Sequence, residues 1–331
     1  MDIACCTDRI YLKYCLTMLL SFFDHHREEG VYVHLLANGL LKEDIKKVRD
    51  LVEENNAGFE VYEVDGEFLS SLTSGQYSYI TPTTYARLFL SDILPAEVQK
   101  VIYLDCDLLV MDSLMPLWNF SLDEGFELAA VEDSCSANPD YYKRLCLPKS
   151  HRYFNAGVLL IDLSAWRKRG FVELAMHLLD AGNLRLDYAD QDVLNVLCAS
   201  RTRYLPFRYN LQEAMLRQYV PEIGEDARCA IVESLSSPAV IHFTYILKPW
   251  CFTSFHPYRK HFYYYFDKTE WGGERPVPSW NERIRRLAWW GASLFNLVNK
   301  YHPLPTHLEI DVWKRGLHLL HNQGNIQDRC K

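Results

Sequence analysis

No hydrophobic run in this 331-residue chain is long enough to cross a bilayer: the longest, residues 14–23, is about half of the roughly 20 residues a spanning helix needs. No cationic segment or small-residue cleavage site precedes the first apolar run, which starts at Ile3 directly after Met1 and Asp2; the expected location is therefore cytoplasmic. Basic residues are in deficit, 35 Lys and Arg against 43 Asp and Glu, for a net charge of -8. Without a basic face to neutralise phosphates, a nucleic-acid partner is not expected. The ten cysteines lack disulfide or zinc-type spacing, and the one close pair, Cys5 and Cys6, lies in the first apolar run. Neighbours on a strand point to opposite faces, which suits neither a disulfide nor a chelate, so buried, reduced thiols are expected. Missing too is a glycine-rich phosphate loop after the first strand, where Thr7, Asp8 and Arg9 stand instead. That disfavours a dinucleotide-binding protein.

What the chain does have is alternation. Apolar runs at residues 3–6, 32–36 and 60–64 are separated by helix-like stretches at 12–23 and 42–54, a βαβαβ order that predicts an α/β fold with a mostly parallel sheet flanked by helices and ligands at the carboxyl ends of its strands. After a turn at Thr81 and Pro82, residues 83–94 read as a helix and 100–104 as a strand. Further strands are expected at 128–131, 157–161 and 240–243, and a helix at 191–199 opening on the cluster Asp190, Gln191, Asp192. Between Gly272 and Pro278 glycine and proline break the pattern and mark a linker. The division expected is a catalytic unit at 1–270 and a linker with a helical region at 271–331.

The strongest chemical signal is the strand-end pair Asp105 and Asp107, spaced by Cys106. An isolated Asp-x-Asp is more often a solvated turn. Here an apolar strand precedes the pair and another apolar run, residues 108–111, follows it, so both carboxylates stand at a rim backed by core. Two anions in that position call for a hard cation, Mg or Mn, which typically keeps one or two protein carboxylates and completes its shell with phosphate oxygens and water.

Five motifs in order resemble glycosyltransferase family 8, over about residues 1 to 270: Thr83-Thr84-Tyr85-Ala86-Arg87, Tyr103-Leu104-Asp105-Cys106-Asp107, Phe154-Asn155-Ala156-Gly157-Val158, Asp190-Gln191-Asp192, and His242 with Lys248-Pro249-Trp250. The resemblance implies a GT-A fold and a retaining transferase, of the kind that includes bacterial lipopolysaccharide galactosyl- and glucosyltransferases, moving a hexose from a UDP-sugar to a saccharide or glycolipid acceptor. It implies Asp105, Asp107 and His242 as metal ligands; an imidazole among carboxylates favours Mn2+ over Mg2+. It further implies that Asp8 and Tyr11 meet the uracil, that Arg87, with Thr84 in the same motif, reaches the donor, and that Lys248 faces the diphosphate. Asp133, Asn155, Ala156, Asp190 and Gln191 would line the sugar, with Asp190 and Gln191 nearest the reaction. Asp190 could also cap the helix that follows it.

Two positions depart from the family. Tyr245, with Ile246 and Leu247, stands where many members have glycine between the His and the Lys, and Ile10 replaces a residue that is often polar. No protein nucleophile is evident, so a front-face reaction with retention is expected. The C-terminal stretch 279–299 carries capping-box spacing at Ser279 and Glu282, an apolar period, and Arg283, Arg285, Arg286, Trp289 and Trp290. It is either a helix packed on the body or an interfacial helix in peripheral contact with the inner face of the cell membrane. Two other functions stay open: a sugar-nucleotide nucleotidyltransferase, which would want a basic glycine-rich loop that is missing, and a non-catalytic nucleotide-sugar-binding module.

Overall fold

The structure is a computed structural model that describes residues 1–27, 30–72, 82–218, 225–295 and 297–308. The expected turn residue Thr81 and residues 309–331 of the C-terminal region lie outside it. The strands are β1 (Asp2–Asp8), β2 (Tyr32–Asn38), β3 (Gly58–Glu63), β4 (Lys100–Leu104), β5 (Leu108–Val110), β6 (Leu128–Glu132), β7 (Phe154–Asp162), β8 (Thr202–Tyr204), β9 (Leu211–Gln212) and β10 (Val240–His242). The main sheet runs β3-β2-β1-β4-β7-β6-β8. All neighbours in it are parallel except β7, which is antiparallel to β4 and β6.

Both faces of this sheet are covered, which is why its strands read as near-continuous apolar runs. On β1, Ile3 and Cys5 enter one core layer with Leu19 and Phe22 of the helix Leu12–Phe23 and Val48 and Val52 of the helix Lys42–Glu54. Ala4 and Cys6 enter the opposite layer with Tyr85, Leu88, Trp166, Phe171 and Val193. The nine cysteines among the described residues are all free, and five are buried.

The chain steps outward from β1 to β3 and then returns with β4 on the other side of β1. A crevice opens where the order reverses, beyond the carboxyl ends of β1 and β4. Asp8 ends β1 and Asp105 directly follows β4. Two long-range pairings complete the crevice. Leu104 pairs with Val158, so the Asp105 N–H donates to the Gly157 carbonyl at 2.9 Å. In a second, smaller sheet of order β5-β10-β9, His242 pairs with Leu108 and therefore stands beside Asp107.

The expected helix over 83–94 is a correction. Residues Pro82–Phe89 form a 3-10 helix, and only the short stretch Leu90–Ile93 is α-helical. In a 3-10 helix residues three apart eclipse, which stacks Thr84 and Arg87 on one face, and both bind Asp190. The expected helix at 191–199 is observed as Ala189–Leu197 with Tyr188 at its N-cap. Asp190 lies inside the first turn and is not the cap.

After Gly272–Pro278 the helix Trp280–Leu294 begins with a capping box between Ser279 and Glu282. The chain then returns to the body. Tyr301 bridges Arg217 in antiparallel fashion, and Tyr301, Leu304 and Leu308 pack against a core cluster built on Leu109, Leu211, Ile241, Phe262 and Phe266.

Candidate active site

A cavity of about 590 Å³ occupies the crevice, and every site residue proposed from sequence lines it: Asp8, Tyr11, Thr84, Arg87, Asp105, Asp107, Asp133, Asn155, Ala156, Asp190, Gln191, His242 and Lys248. Its size is that of a small-molecule or cofactor site.

At its centre Asp105, Asp107 and His242 each present one ligand atom within 4.8 Å of the other two. His242 Nε2 lies 3.2 Å from Asp107 Oδ1 and 3.9 Å from Asp105 Oδ2. Lys248 donates to Asp107 Oδ2 at 2.6 Å and to the Phe243 carbonyl. Burial alone would raise the Asp107 carboxyl, but Lys248 and His242 overcome it and hold the group well below the usual carboxylate range. Asp107 is therefore an anion at any ordinary pH. Two carboxylates and one imidazole form a mixed oxygen and nitrogen donor set that suits a divalent cation.

Arg87 forms the floor. Its side chain is 3 % exposed, and its guanidinium donates to Asp105 Oδ1 at 2.8 Å, pairs with Asp190 Oδ2 at 2.9 Å, and also binds the carbonyls of Thr84 and Ala156. The ring of Tyr103 lies beneath it, 4.5 Å from ring centre to guanidinium carbon. The planar fork is thus engaged by protein acceptors and aims two carboxylates at the cavity. Burial pushes Asp190 up to about 6, outweighing the pull of Arg87 and the hydrogen bond from Thr84.

Beyond the carboxylates lies an amide network. The Gln191 oxygen accepts the Ala156 N–H at 3.0 Å and the Asn155 amide at 3.1 Å, while its nitrogen donates to Tyr153 Oη at 3.2 Å. Tyr153 in turn donates to Asp192, which Arg144 clamps through two contacts of 2.5 and 2.9 Å. Asp133 Oδ1 accepts the Cys135 N–H, and Oδ2 faces the amides of Asn155 and Gln191; burial still raises its carboxyl above the ordinary value.

At the other end, Asp8 Oδ1 accepts the N–H groups of Ile10 and Tyr11 and so shapes the entry to the first helix. Its second oxygen lies 3.4 Å from the Thr83 hydroxyl. Tyr11 presents an edge to Trp250, which stacks on Tyr14 with ring centres 3.7 Å apart. Tyr245 and Ile246 line the mouth, whereas Ile10 is 74 % exposed and stands outside.

Sequence reasoning missed Asn210, Gln212, Tyr153 and Arg144. Asn210 is fully buried and bonds His242, and Gln212 accepts the Ser134 N–H at 2.9 Å. Nothing local marks Asn210, because it follows a one-turn 3-10 helix, Phe207–Tyr209, where an Asn is ordinary.

Comparison with known proteins gives a consistent outcome. The sequence profile of Glycosyl transferase family 8 matches residues 2–254. The chain is similar to General stress protein A of Bacillus subtilis (strain 168), 28% identical over 279 residues, covering 82% of this chain and 94% of that one. It is also similar to Lipopolysaccharide 1,2-glucosyltransferase of Escherichia coli (strain K12), 25% identical over 277 residues, covering 83% of this chain and 80% of that one. Among solved structures it superimposes on galactosyltransferase LgtC in complex with donor and acceptor sugar analogs, with a TM-score of 0.73 and 25% identity over 86% of this chain and all of that one.

Proposed function

This chain belongs to glycosyl transferase family 8, and from that premise we propose that it is a retaining hexosyltransferase. It takes galactose or glucose from a UDP-sugar, uses Mn2+ with Mg2+ as a substitute, and passes the sugar to a hydroxyl of a saccharide or glycolipid acceptor in surface-glycan synthesis such as that of lipopolysaccharide. One observation carries this reading: the Asp105, Asp107, His242 group stands in a cavity with Lys248 on one side and the Asp133, Asn155, Gln191 network on the other. The glucosyl- and galactosyltransferases among its relatives support the hexose and the class of acceptor.

A bound divalent ion would supply charge for the diphosphate. The rest falls to the chain. Asp105, Asp107 and His242 would hold the ion, and Lys248 stabilises the departing diphosphate as negative charge grows on it. Asp8 and Tyr11 receive the uracil. Thr84 and Arg87 fix Asp190 and Asp105, while Asp133, Asn155, the Ala156 backbone, Asp190 and Gln191 take the sugar hydroxyls. The Gln191 oxygen already accepts two hydrogen bonds, which suits a positioning group better than a nucleophile. Retention then follows a front-face path: the bond from C1 to the diphosphate oxygen breaks, the acceptor oxygen bonds C1 from the same side, and its proton passes to the departing phosphate.

The reading extends to residues 271–331 as an acceptor-facing or membrane-facing region appended to a catalytic unit at 1–270, with the protein peripheral on the cytoplasmic side. No helix among the described residues is long and apolar enough to cross a membrane. Support for surface contact comes from Trp280, Ile284, Leu287 and Trp290, all exposed on the helix Trp280–Leu294.

The test is thermal unfolding with UDP, with and without manganese, together with hydrolysis of UDP-galactose and UDP-glucose. Stabilisation by UDP only in the presence of manganese, lost when Asp105 and Asp107 are both changed to Asn, is expected. Metal-independent turnover in that double variant would overturn the assignment. Release of pyrophosphate from UTP and a sugar 1-phosphate would replace it with nucleotidyl transfer.

A further inference from the structure

For His242 to donate from Nε2 to a metal, its ring proton has to sit on Nδ1. Nδ1 lies 2.9 Å from Oδ1 of Asn210. An amide can turn either its oxygen or its nitrogen toward a neighbour, so the end that faces His242 has to be decided elsewhere. The decision traces to one peptide group. The Gly157 N–H donates to Asn155 Oδ1 at 3.0 Å, and since a backbone N–H is only a donor, the atom of Asn155 facing it is the oxygen. The same oxygen lies 2.9 Å from the Asn210 amide nitrogen. The Asn210 oxygen is then the end left for His242, where only an N–H can pair with it. The polarity of two amides and one imidazole is fixed in sequence.

The far side of Asn155 faces the sugar end of the cavity. Its Nδ2 donates to Gln191 at 3.1 Å and to Asp133 at 3.3 Å. Asn155 therefore stands between the metal-type cluster and the amide network, and Asn210 is the link between Asn155 and His242. Asn210 is 0 % exposed, and its own N–H is bound to the Phe207 carbonyl at 3.0 Å where the turn runs into β9. Its side chain has no route to the cavity except through these partners.

We propose that Asn210 is a positioning residue that holds His242 as the Nδ1–H tautomer with Nε2 aimed at a divalent cation, and that couples this ion site through Asn155 to the groups facing the donor sugar. The proposal rests on reading Asp105, Asp107 and His242 as a metal site. Asn210→Leu removes both of the side chain's bonds. Asn210→Asp keeps an acceptor for Nδ1–H but cannot donate to Asn155, so the two variants separate the two roles.

Manganese affinity is measured calorimetrically on the full chain, and the nitrogen modulation of bound Mn2+ is read by pulsed electron paramagnetic resonance, which reports imidazole coordination without any turnover. Asn210→Leu is expected to weaken manganese binding roughly 10- to 100-fold and to diminish the nitrogen signal. Asn210→Asp is expected to keep both near wild type, yet to weaken binding of a UDP-hexose while leaving that of UDP unchanged. A leucine variant with wild-type affinity and full nitrogen signal overturns the proposal. So does an aspartate variant that loses manganese, and this result decides alone if the leucine variant does not fold. Failure of the wild-type protein to bind manganese overturns the metal-site reading itself, whereas a wild type that binds beside an indifferent leucine variant sinks only the role of Asn210.

Discussion

A methyl group at position 157 would collide with the ring that the site depends on. A Cβ built on Gly157 lies 2.1 Å from His242 Cε1 and 2.7 Å from Nδ1, distances no packed structure tolerates, and a tight 3.0 Å from Asp105 Oδ2. His242 cannot retreat easily, because Asn210 holds Nδ1 and the ring is buried. Gly157→Ala should therefore fold and yet bind manganese about tenfold more weakly or worse; calorimetry with unchanged affinity would show that the ring is not held as described. His256 offers a different single-residue prediction. It is buried, its Nε2 finds no partner among the described residues, and burial, reinforced by Arg217, Lys248 and His261, lowers its pKa to about 3. A base depressed in the folded state binds its proton more readily when unfolded, so stability is fully present above pH 6.5 and is lost as pH falls through the window from 6.5 to about 3. Each pKa unit is worth about 1.4 kcal/mol, so acidification from pH 7 to 5 should remove about 2 kcal/mol through this residue. Comparing urea unfolding of the wild type and His256→Phe at both pH values tests it. Equal losses in the two proteins would refute it.

At the scale of the element, the 3-10 segment Pro82–Phe89 matters because it delivers one guanidinium between two buried carboxylates. Arg87→Ala leaves Asp105 and Asp190 without their common cation, which for a broken buried pair costs about 3–5 kcal/mol. Chemical unfolding should show that loss, and a change below about 1 kcal/mol, the range of an exposed pair, would mean the pairing is incidental. This element also marks how far the sequence could be read. The βαβαβ order was legible because buried parallel strands are local apolar runs, and Leu12–Phe23 and Lys42–Glu54 have the residue bounds expected of them. The 3-10 geometry was not, since Tyr85, Leu88 and Phe89 have the i, i+3, i+4 spacing of an α-helical face. The small sheet escaped for another reason: pairing of His242 with Leu108 joins residues far apart in the chain, and nothing local in residues 108–111 encodes that partner. The carboxylates and basic residues of the cavity, most of them in short motifs, were visible together with Asn155 and Gln191, whereas Gln212 was not. Asn210 was not, because its importance comes from two neighbours brought to it by folding.

On the scale of the whole molecule, the C-terminal helix raises a question of balance between an acidic body and a basic, apolar attachment. The chain carries a net charge of -8, so an anionic bilayer repels it unless one face is locally different. The helix Trp280–Leu294 is such a face. Arg286 and Trp289 pin it to the body, Trp289 stacking on Phe255 with ring centres 3.8 Å apart and Arg286 lying over Phe252. On the other side Trp280, Ile284, Leu287 and Trp290 are 50 to 76 % exposed beside the exposed Arg283 and Arg285. Single exposed apolar residues are ordinary, but a helical stripe of them flanked by arginines has the composition of an interfacial helix. If it meets a membrane, binding needs both parts: the arginines for attraction, which added salt weakens, and the apolar stripe for insertion, which salt does not abolish. Flotation with vesicles of anionic phospholipid should recover the protein, and neutral vesicles should recover much less. Ile284→Glu combined with Leu287→Glu should abolish recovery while manganese-dependent hydrolysis of the UDP-sugar continues, because neither residue lines the cavity. If the double variant floats as well as the wild type, the stripe is not the contact, and the helix serves only to carry the chain back to Tyr301 and its seat on the body.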